Sequence, residues 1–506
     1  MRHLTIGLFV AVGSCASTNL GAADWLQFGY DARHSGNNSA ETTISTSNVA
    51  SLVRIYSVDV PVGSTLVYLS EVNIGGVTKD LLFSTTTDGR LFAYDAATAA
   101  IVWSRTTPPA SPPSQGIQST PAVDPNRQFV YSYGIDGKVH KFKVVDGDEI
   151  ETQGWPQVAT LKPSVEKSSS ALTIGTTPNG RNYLYVVNSS YGDGGDYQGH
   201  ITAIDLSTGS QNVFNANCSD LAIHFLLDGT PDVTDCATKQ NGIWGGPGAV
   251  YDTDTNRVYV TTGNGRFDAN LGGHNWGDSV LALSPDGTGS GLGDPLDSYT
   301  PTNYSNLDVY DLDLGSGSLL ILPTPAISNV AHLGLQTGKQ GMSLLLNLDN
   351  LSGQGGPGFV GGELQTVTPF LWAPDSPTTH PATSVNPIDH STWVFLPDNL
   401  STGMSGYQLV LDSSGTPSLT LRWSLQPAGS RNMATPVIAN GVLYVSEAGG
   451  SLTALEPYTG SALWTVADAG VSNRGGPIVV NGRLFVVSST LQAFTLDTLF
   501  KSGFED

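Results

Sequence analysis

The stretch DGRLFAYDAATAAIVW, Asp88 to Trp103, has a counterpart near the other end of the chain in GGSLTALEPYTGSALW, Gly449 to Trp464. Aligning Gly89 with Gly450 places an acid six positions on (Asp95, Glu456), a threonine nine positions on (Thr98, Thr459) and a tryptophan fourteen positions on (Trp103, Trp464). QGHITAIDLSTG repeats much of this with Gly199, Asp205 and Thr208, and DGKVHKFKVVDG around Gly137 is a weaker copy. Asp-Gly or Gly-Gly supplies a turn, because glycine tolerates positive φ. The residues that follow alternate like a half-buried strand, and Thr-Gly makes a second turn. The closing tryptophan brings a large ring to bury between sheets. Ahead of the hairpin lie a small-residue strand and an apolar one, as in STPAVDPNRQFVYSYG (Ser119 to Gly134) and ATPVIANGVLYVS (Ala434 to Ser446). Each repeat is therefore a four-stranded antiparallel sheet, the unit of a propeller blade.

Further copies centre on 168–209, 242–287, 324–353, 390–424 and 475–496. With those at 80–106, 119–149 and 434–464 they predict an all-β, eight-bladed β-propeller over residues 24–498. Copies five and six are degraded, which leaves seven blades as the alternative. The N-terminal strand is expected to help close the ring. Long insertions at 211–241, 286–320 and 351–391 are expected to project from one face, where functional loops sit.

Composition agrees with short strands and tight turns: 59 of 506 residues are glycine and only 13% are charged. The net charge of −22 and the absence of a basic cluster exclude nucleic acid as a partner, since phosphate binding needs clustered Lys and Arg. Residues 1–23 read as an export signal: Arg2 and His3, an apolar run from Leu4 to Val12, then Gly21-Ala22-Ala23 before Asp24. Val12-Gly13-Ser14-Cys15 also fits a lipoprotein cleavage box, so a lipid anchor at Cys15 stands beside soluble release. The expected location is exported: periplasmic, outer-membrane-associated or extracellular. Export permits disulfides, and Cys218 and Cys236 are expected to pair, closing a loop worth ~3 kcal/mol. No CxxCH haem site, HExxH or GxSxG is present.

The two repeat segments, and DWLQFGYDARHSGNN from Asp24 to Asn38, resemble the PQQ-repeat propellers. That group contains quinoprotein alcohol dehydrogenases and non-enzymatic members such as the assembly lipoprotein of the BAM complex. GIWGGPGAVYDTDTNRVYVTTGNG, Gly242 to Gly265, resembles the stretch where the dehydrogenases place a tryptophan floor under PQQ and an asparagine ligand to calcium. The resemblance implies these roles for Trp244 and Asn264. YTPTNYSNLDVYDLDLG resembles the segment with their catalytic aspartate, so Asp311 or Asp313 is implied as catalytic base, with Asp308 possible on spacing and Asp311 also a metal candidate. TGKQGMSLLLNLDN resembles the segment whose basic residue hydrogen-bonds the quinone, implying Lys339.

The chemistry accounts for those residue types. A planar quinone needs an aromatic floor. Ca²⁺ takes oxygen ligands and polarises the carbonyl that receives hydride, and an aspartate takes the alcohol proton. The chain also departs from the pattern. The calcium-binding glutamate of those enzymes aligns with Gly194, leaving Asp193 or Asp196 as substitutes, and their adjacent-cysteine ring is missing. Structural roles stay open for each residue: inter-blade packing for Trp244, an Asn-Gly turn at Asn264, loop capping at Asp311 and Asp313, a surface turn at Lys339. The expectation is an envelope propeller that binds or scaffolds an unknown protein or small molecule without catalysis. The alternative is a PQQ- and Ca²⁺-dependent dehydrogenase, without haem, that oxidises an alcohol or sugar. A hydrolase or lyase is the third class.

Overall fold

The computed structural model describes residues 23–61, 63–107, 116–226, 236–367, 379–397, 403–425, 433–447, 450–470 and 475–497. The expected signal sequence up to residue 22, Cys15 and the tail after 497 lie outside them. Eight antiparallel sheets follow one another along the chain. Blades 1 to 7 span 67–106, 122–158, 173–215, 250–299, 319–367, 382–425 and 437–466. Blade 8 takes three strands from 478–496 and its fourth from the N-terminal strand Leu52–Asp59, which pairs antiparallel with Thr490–Leu496. The ring closes as expected, every sequence copy falls on one blade, and eight is the count.

First strands of neighbouring blades adjoin and form the inner wall of the ring. They are short and buried, such as Val250–Asp252 and Ile478–Val480. The repeated acid has a local task. Asp95 accepts the Ala97 amide at 2.9 Å, Asp205 the Ser207 amide at 2.8 Å, and Glu456 the Thr459 amide at 2.6 Å. Each carboxylate thus caps the turn before the outer strand.

Tryptophans join blades. The Trp103 indole donates to the Val144 carbonyl of blade 2 at 2.9 Å, and Trp423 donates to the Pro457 carbonyl of blade 7 at 2.8 Å. Each ring lies on a turn glycine with positive φ, Gly147 or Gly460; a Cβ there would stand 2.6 or 2.8 Å from the indole. Trp464 packs edge-on against Phe494 of blade 8.

None of the three predicted insertions proves to be a simple projection. Residues 211–241 begin with the outer strand Gln211–Asn215 of blade 3, 286–320 contain the outer strand Asp297–Tyr299 of blade 4, and 351–391 contain Gln365–Val367 of blade 5 and Ala382–Val385 of blade 6. These strands are three to five residues long, too short to register as a period in a glycine-rich stretch.

Residues 24–41 cross the ring at the end where first and second strands turn. Trp25 exchanges backbone hydrogen bonds with Tyr68 in blade 1, and the Leu26 carbonyl accepts from Val123 in blade 2. The Gln27 side chain accepts from Ile174 in blade 3, and the Ala32 carbonyl accepts from Tyr251 in blade 4. Ser35, Gly36 and Asn38 continue to blades 6, 7 and 8. This segment is a plug, and it floors the central channel. Among the described residues no helix is long and apolar enough to cross a membrane.

Candidate functional site

The opposite end of the channel opens into a cavity of about 340 Å³. Loops that enter the first strands and leave the second strands of blades 1 to 5 build its wall. Trp244, Asp313, Lys339 and Asp193 line it, so four of the sequence-predicted residues meet in one place.

Lys339 is the centre of the arrangement. Its Nζ donates to Asp311 Oδ1 at 2.9 Å and to Asp313 Oδ2 at 2.5 Å. It also stands over the Trp244 ring, 5.1 Å from the centroid, within cation–π range. Burial pulls Lys339 toward the neutral amine, but Asp313 and Asp311 outweigh it and hold the ammonium. Asp313 Oδ1 accepts the Asn264 amide at 2.7 Å and faces the Trp244 indole at 3.5 Å. The Asn264 side-chain amide donates to Asp311 at 2.8 Å, while its Oδ1 is buried without a hydrogen-bond partner.

Close backbone contact sets this geometry. A Cβ on Gly263 would lie 2.3 Å from Asp313 Oδ1, and one on Gly315 would lie 2.5 Å from the Gly263 nitrogen. The loops carrying Asn264 and Asp313 therefore interlock through glycines. Asp308 sits apart, in the short helix Tyr304–Val309 that leads to the site.

The two candidates for the missing glutamate separate. Asp193 faces the cavity and accepts from the Tyr197 hydroxyl at 3.2 Å. Asp196 does not line the cavity; its carboxylate pairs with Lys239 at 3.3 Å. Cys218 and Cys236 are bonded, and the Cys236 carbonyl anchors to the Gln198 amide at 3.3 Å.

Sequence reasoning missed several residues. Lys167, Gln118, Ser169 and Ser190 line the cavity from blades 2 and 3, where nothing in the repeat distinguishes them. Asp278 was missed as well. Its Oδ1 accepts the Leu314 amide at 2.9 Å and its Oδ2 is buried without a partner. Burial, then the charges of Asp313 and Asp308, push its carboxyl well above the usual carboxylate range.

As arranged, these residues do not fit a quinone with a divalent ion. Glycine stands at position 194 where the glutamate would be, Asp193 beside it accepts from Tyr197, and an ammonium already occupies the two aspartates and one indole face. No group of three or more His, Cys, Asp or Glu side chains among the described residues could hold a metal.

Fold and funnel together define an eight-bladed propeller with one polar, open-ended central site. The family described as outer membrane protein assembly factor BamB matches residues 43–221 and 412–499, more than half of the chain, and the chain belongs to this PQQ-repeat family. No curated protein matches it. Among solved structures it is similar to the quinohemoprotein alcohol dehydrogenase from Comamonas testosteroni, with 16% identity and a TM-score of 0.64 over 94% of this chain and 80% of that one. A quinohemoprotein alcohol dehydrogenase from Pseudomonas putida HK5 gives 14% identity and 0.63 over the same shares. A europium-containing methanol dehydrogenase gives 16% and 0.62 over 92% and 89%. At these identities the likeness concerns the fold alone.

Proposed function

We propose that this protein is an exported, non-catalytic binding propeller of the cell envelope whose funnel takes a small, uncharged, hydroxyl-rich ligand. The observation that carries the reading is Lys339 seated between Asp311 and Asp313 over Trp244. The cation that balances the aspartates belongs to the chain. The rest of the lining supports the ligand class. Lys167 and Lys339 meet Asp193, Asp311 and Asp313, which leaves carboxylate rather than ammonium in excess, and Ser169, Ser190 and Gln118 offer donors and acceptors. A ligand with several carboxylates would face those aspartates; a polyol would not. A panel of neutral mono- and disaccharides tests this by thermal midpoint, because a ligand that binds only the native state raises it. The expected result is a concentration-dependent rise that Trp244→Ala and Asp193→Ala both abolish. No rise with any member of the panel overturns the ligand class.

A second reading is the PQQ- and Ca²⁺-dependent dehydrogenase. The convergence of Trp244, Asn264, Asp313 and Lys339, together with the unpartnered Asn264 Oδ1, favours it. It requires Lys339 to leave at least one aspartate. Dye-linked oxidation of an alcohol or sugar after loading with PQQ and Ca²⁺ would establish it over the first.

A further inference from the structure

We propose that the N-terminal plug is an acid-released latch, held shut by the neutral pair His34 and His380. His34 lies at the tip of the plug loop, where the Gly36 amide returns to the Gly29 carbonyl at 3.0 Å. His380 comes from blade 6, just before Ala382–Val385. Both side chains are fully enclosed, their rings meet edge to face at 6.2 Å, and Phe28 packs on both.

The hydrogen bonds fix the tautomers. Thr173 Oγ1 donates to the Ala249 carbonyl at 2.8 Å, so it accepts from His34 Nε2 at 2.9 Å. His380 Nε2 donates to the His34 carbonyl at 3.0 Å. Each Nδ1 is therefore a bare lone pair, and each is buried without a partner. A proton added at either Nδ1 makes a buried cation whose new N–H has no acceptor, beside a second imidazole. Burial without a partner is what such a site disfavours most. The proton is accommodated only if the plug loop leaves.

The other charged groups on this contact are few. On the plug, Asp24 pairs with Arg127 of blade 2, Asp31 accepts from Ser35 and the Arg33 amide, and Arg33 pairs with Asp252 and Asp254 of blade 4. Glu41 accepts the Gly482 amide of blade 8. Burial pushes Asp31 up, so acid favours its folded form and opposes release. Burial pulls His380 down to about 4 and His34 well below its ordinary value. These shifts act in the direction of release. The plug closes the channel end opposite the cavity, so its departure would open the channel from both ends.

The test is hydrogen exchange on the mature chain, corrected for intrinsic rates, between about pH 7 and about pH 4.5. An open-state imidazole near pKa ~6.5 predicts at least a tenfold rise in exchange of plug-bonded amides, those of Trp25, Tyr68, Val123, Tyr251 and Ile438. Second- and third-strand amides of the same blades are expected to stay protected. His380→Gln, which keeps a donor to the His34 carbonyl, is expected to move the loss to lower pH. Joint loss of plug and blade protection overturns the proposal. So does a plug that stays protected at about pH 4.5, or an unshifted profile in a folded His380→Gln protein. Should that variant not fold, the comparison of plug and blade amides in the parent decides alone.

Discussion

Lys339 stands between two carboxylates that would otherwise repel one another, with its side chain 12% exposed and that of Asp313 8%. Removing one partner of such a pair leaves an uncompensated charge and costs roughly 3 kcal/mol. Lys339→Met should therefore lower stability by about that amount. It should also expose Asp311, Asp313 and the Asn264 Oδ1 to a hard cation. In calcium titrations followed by thermal midpoint, the variant should regain stability and the parent should not respond. Equal responses in both would mean the ammonium does not govern the site.

His140 gives a second residue-level expectation. Its Nδ1 meets Glu149 at 2.6 Å and its Nε2 meets Asp136 at 3.1 Å. Burial alone would depress it, but the two carboxylates outweigh burial and raise it. A raised folded value means the stabilisation is complete below about pH 6.5 and lost as pH rises through the folded pKa. His140→Gln should flatten the stability–pH profile above that point. The sign is opposite to that of His380.

At the level of elements, the decisive unit is the tryptophan seated on the next blade's turn glycine. Gly147→Ala and Gly460→Ala each place a methyl against an indole at positive φ. Each should cost about 2–4 kcal/mol through clash and backbone strain. Trp103→Phe should cost about 1 kcal/mol for the lost indole bond to Val144, plus a packing deficit. Denaturant midpoints measure both.

The same elements mark what the sequence could reveal. Gly89, Asp95 and Trp103 recur at Gly450, Glu456 and Trp464 because turn, cap and outer-strand ring meet local requirements that blades 1 and 7 share, so repetition announces them. Blade 2 shows the limit. There the Gln157 amide reaches the Gly209 carbonyl at 2.9 Å, doing for blade 3 what an indole does elsewhere. A glutamine carries no repeat signal. The site was legible only where a longer resemblance ordered Trp244, Asn264, Asp313 and Lys339. Asp278 and Lys167 belong to separate loops outside the repeat, and only the packing of neighbouring blades places one against the Asp313 loop and the other in the cavity wall. The plug carries no periodic signal because DWLQFGYDARHSGNN meets each blade through a different group: backbone at Trp25, Leu26 and Ala32, side chains at Gln27, Arg33, His34 and Asn38.

For the whole molecule, the strand Leu52–Asp59 pairs with Thr490–Leu496 in blade 8, and the plug ties blades 1 to 4 to blades 6 to 8. The ring should unfold as one cooperative unit. Deleting residues 24–41 should lower the midpoint of every blade together, seen as one shifted calorimetric transition. Two separated transitions would show that the plug holds only its neighbours. The funnel belongs to this scale as well: on the proposed function, the Lys339 ammonium stands where a divalent ion and its quinone would otherwise bind. Titration of the purified protein with PQQ in excess Ca²⁺, followed by cofactor absorbance after removal of free PQQ and by thermal midpoint, meets that claim directly. The expected result is no retained quinone and an unchanged midpoint. One equivalent of PQQ retained with a raised midpoint would contradict it.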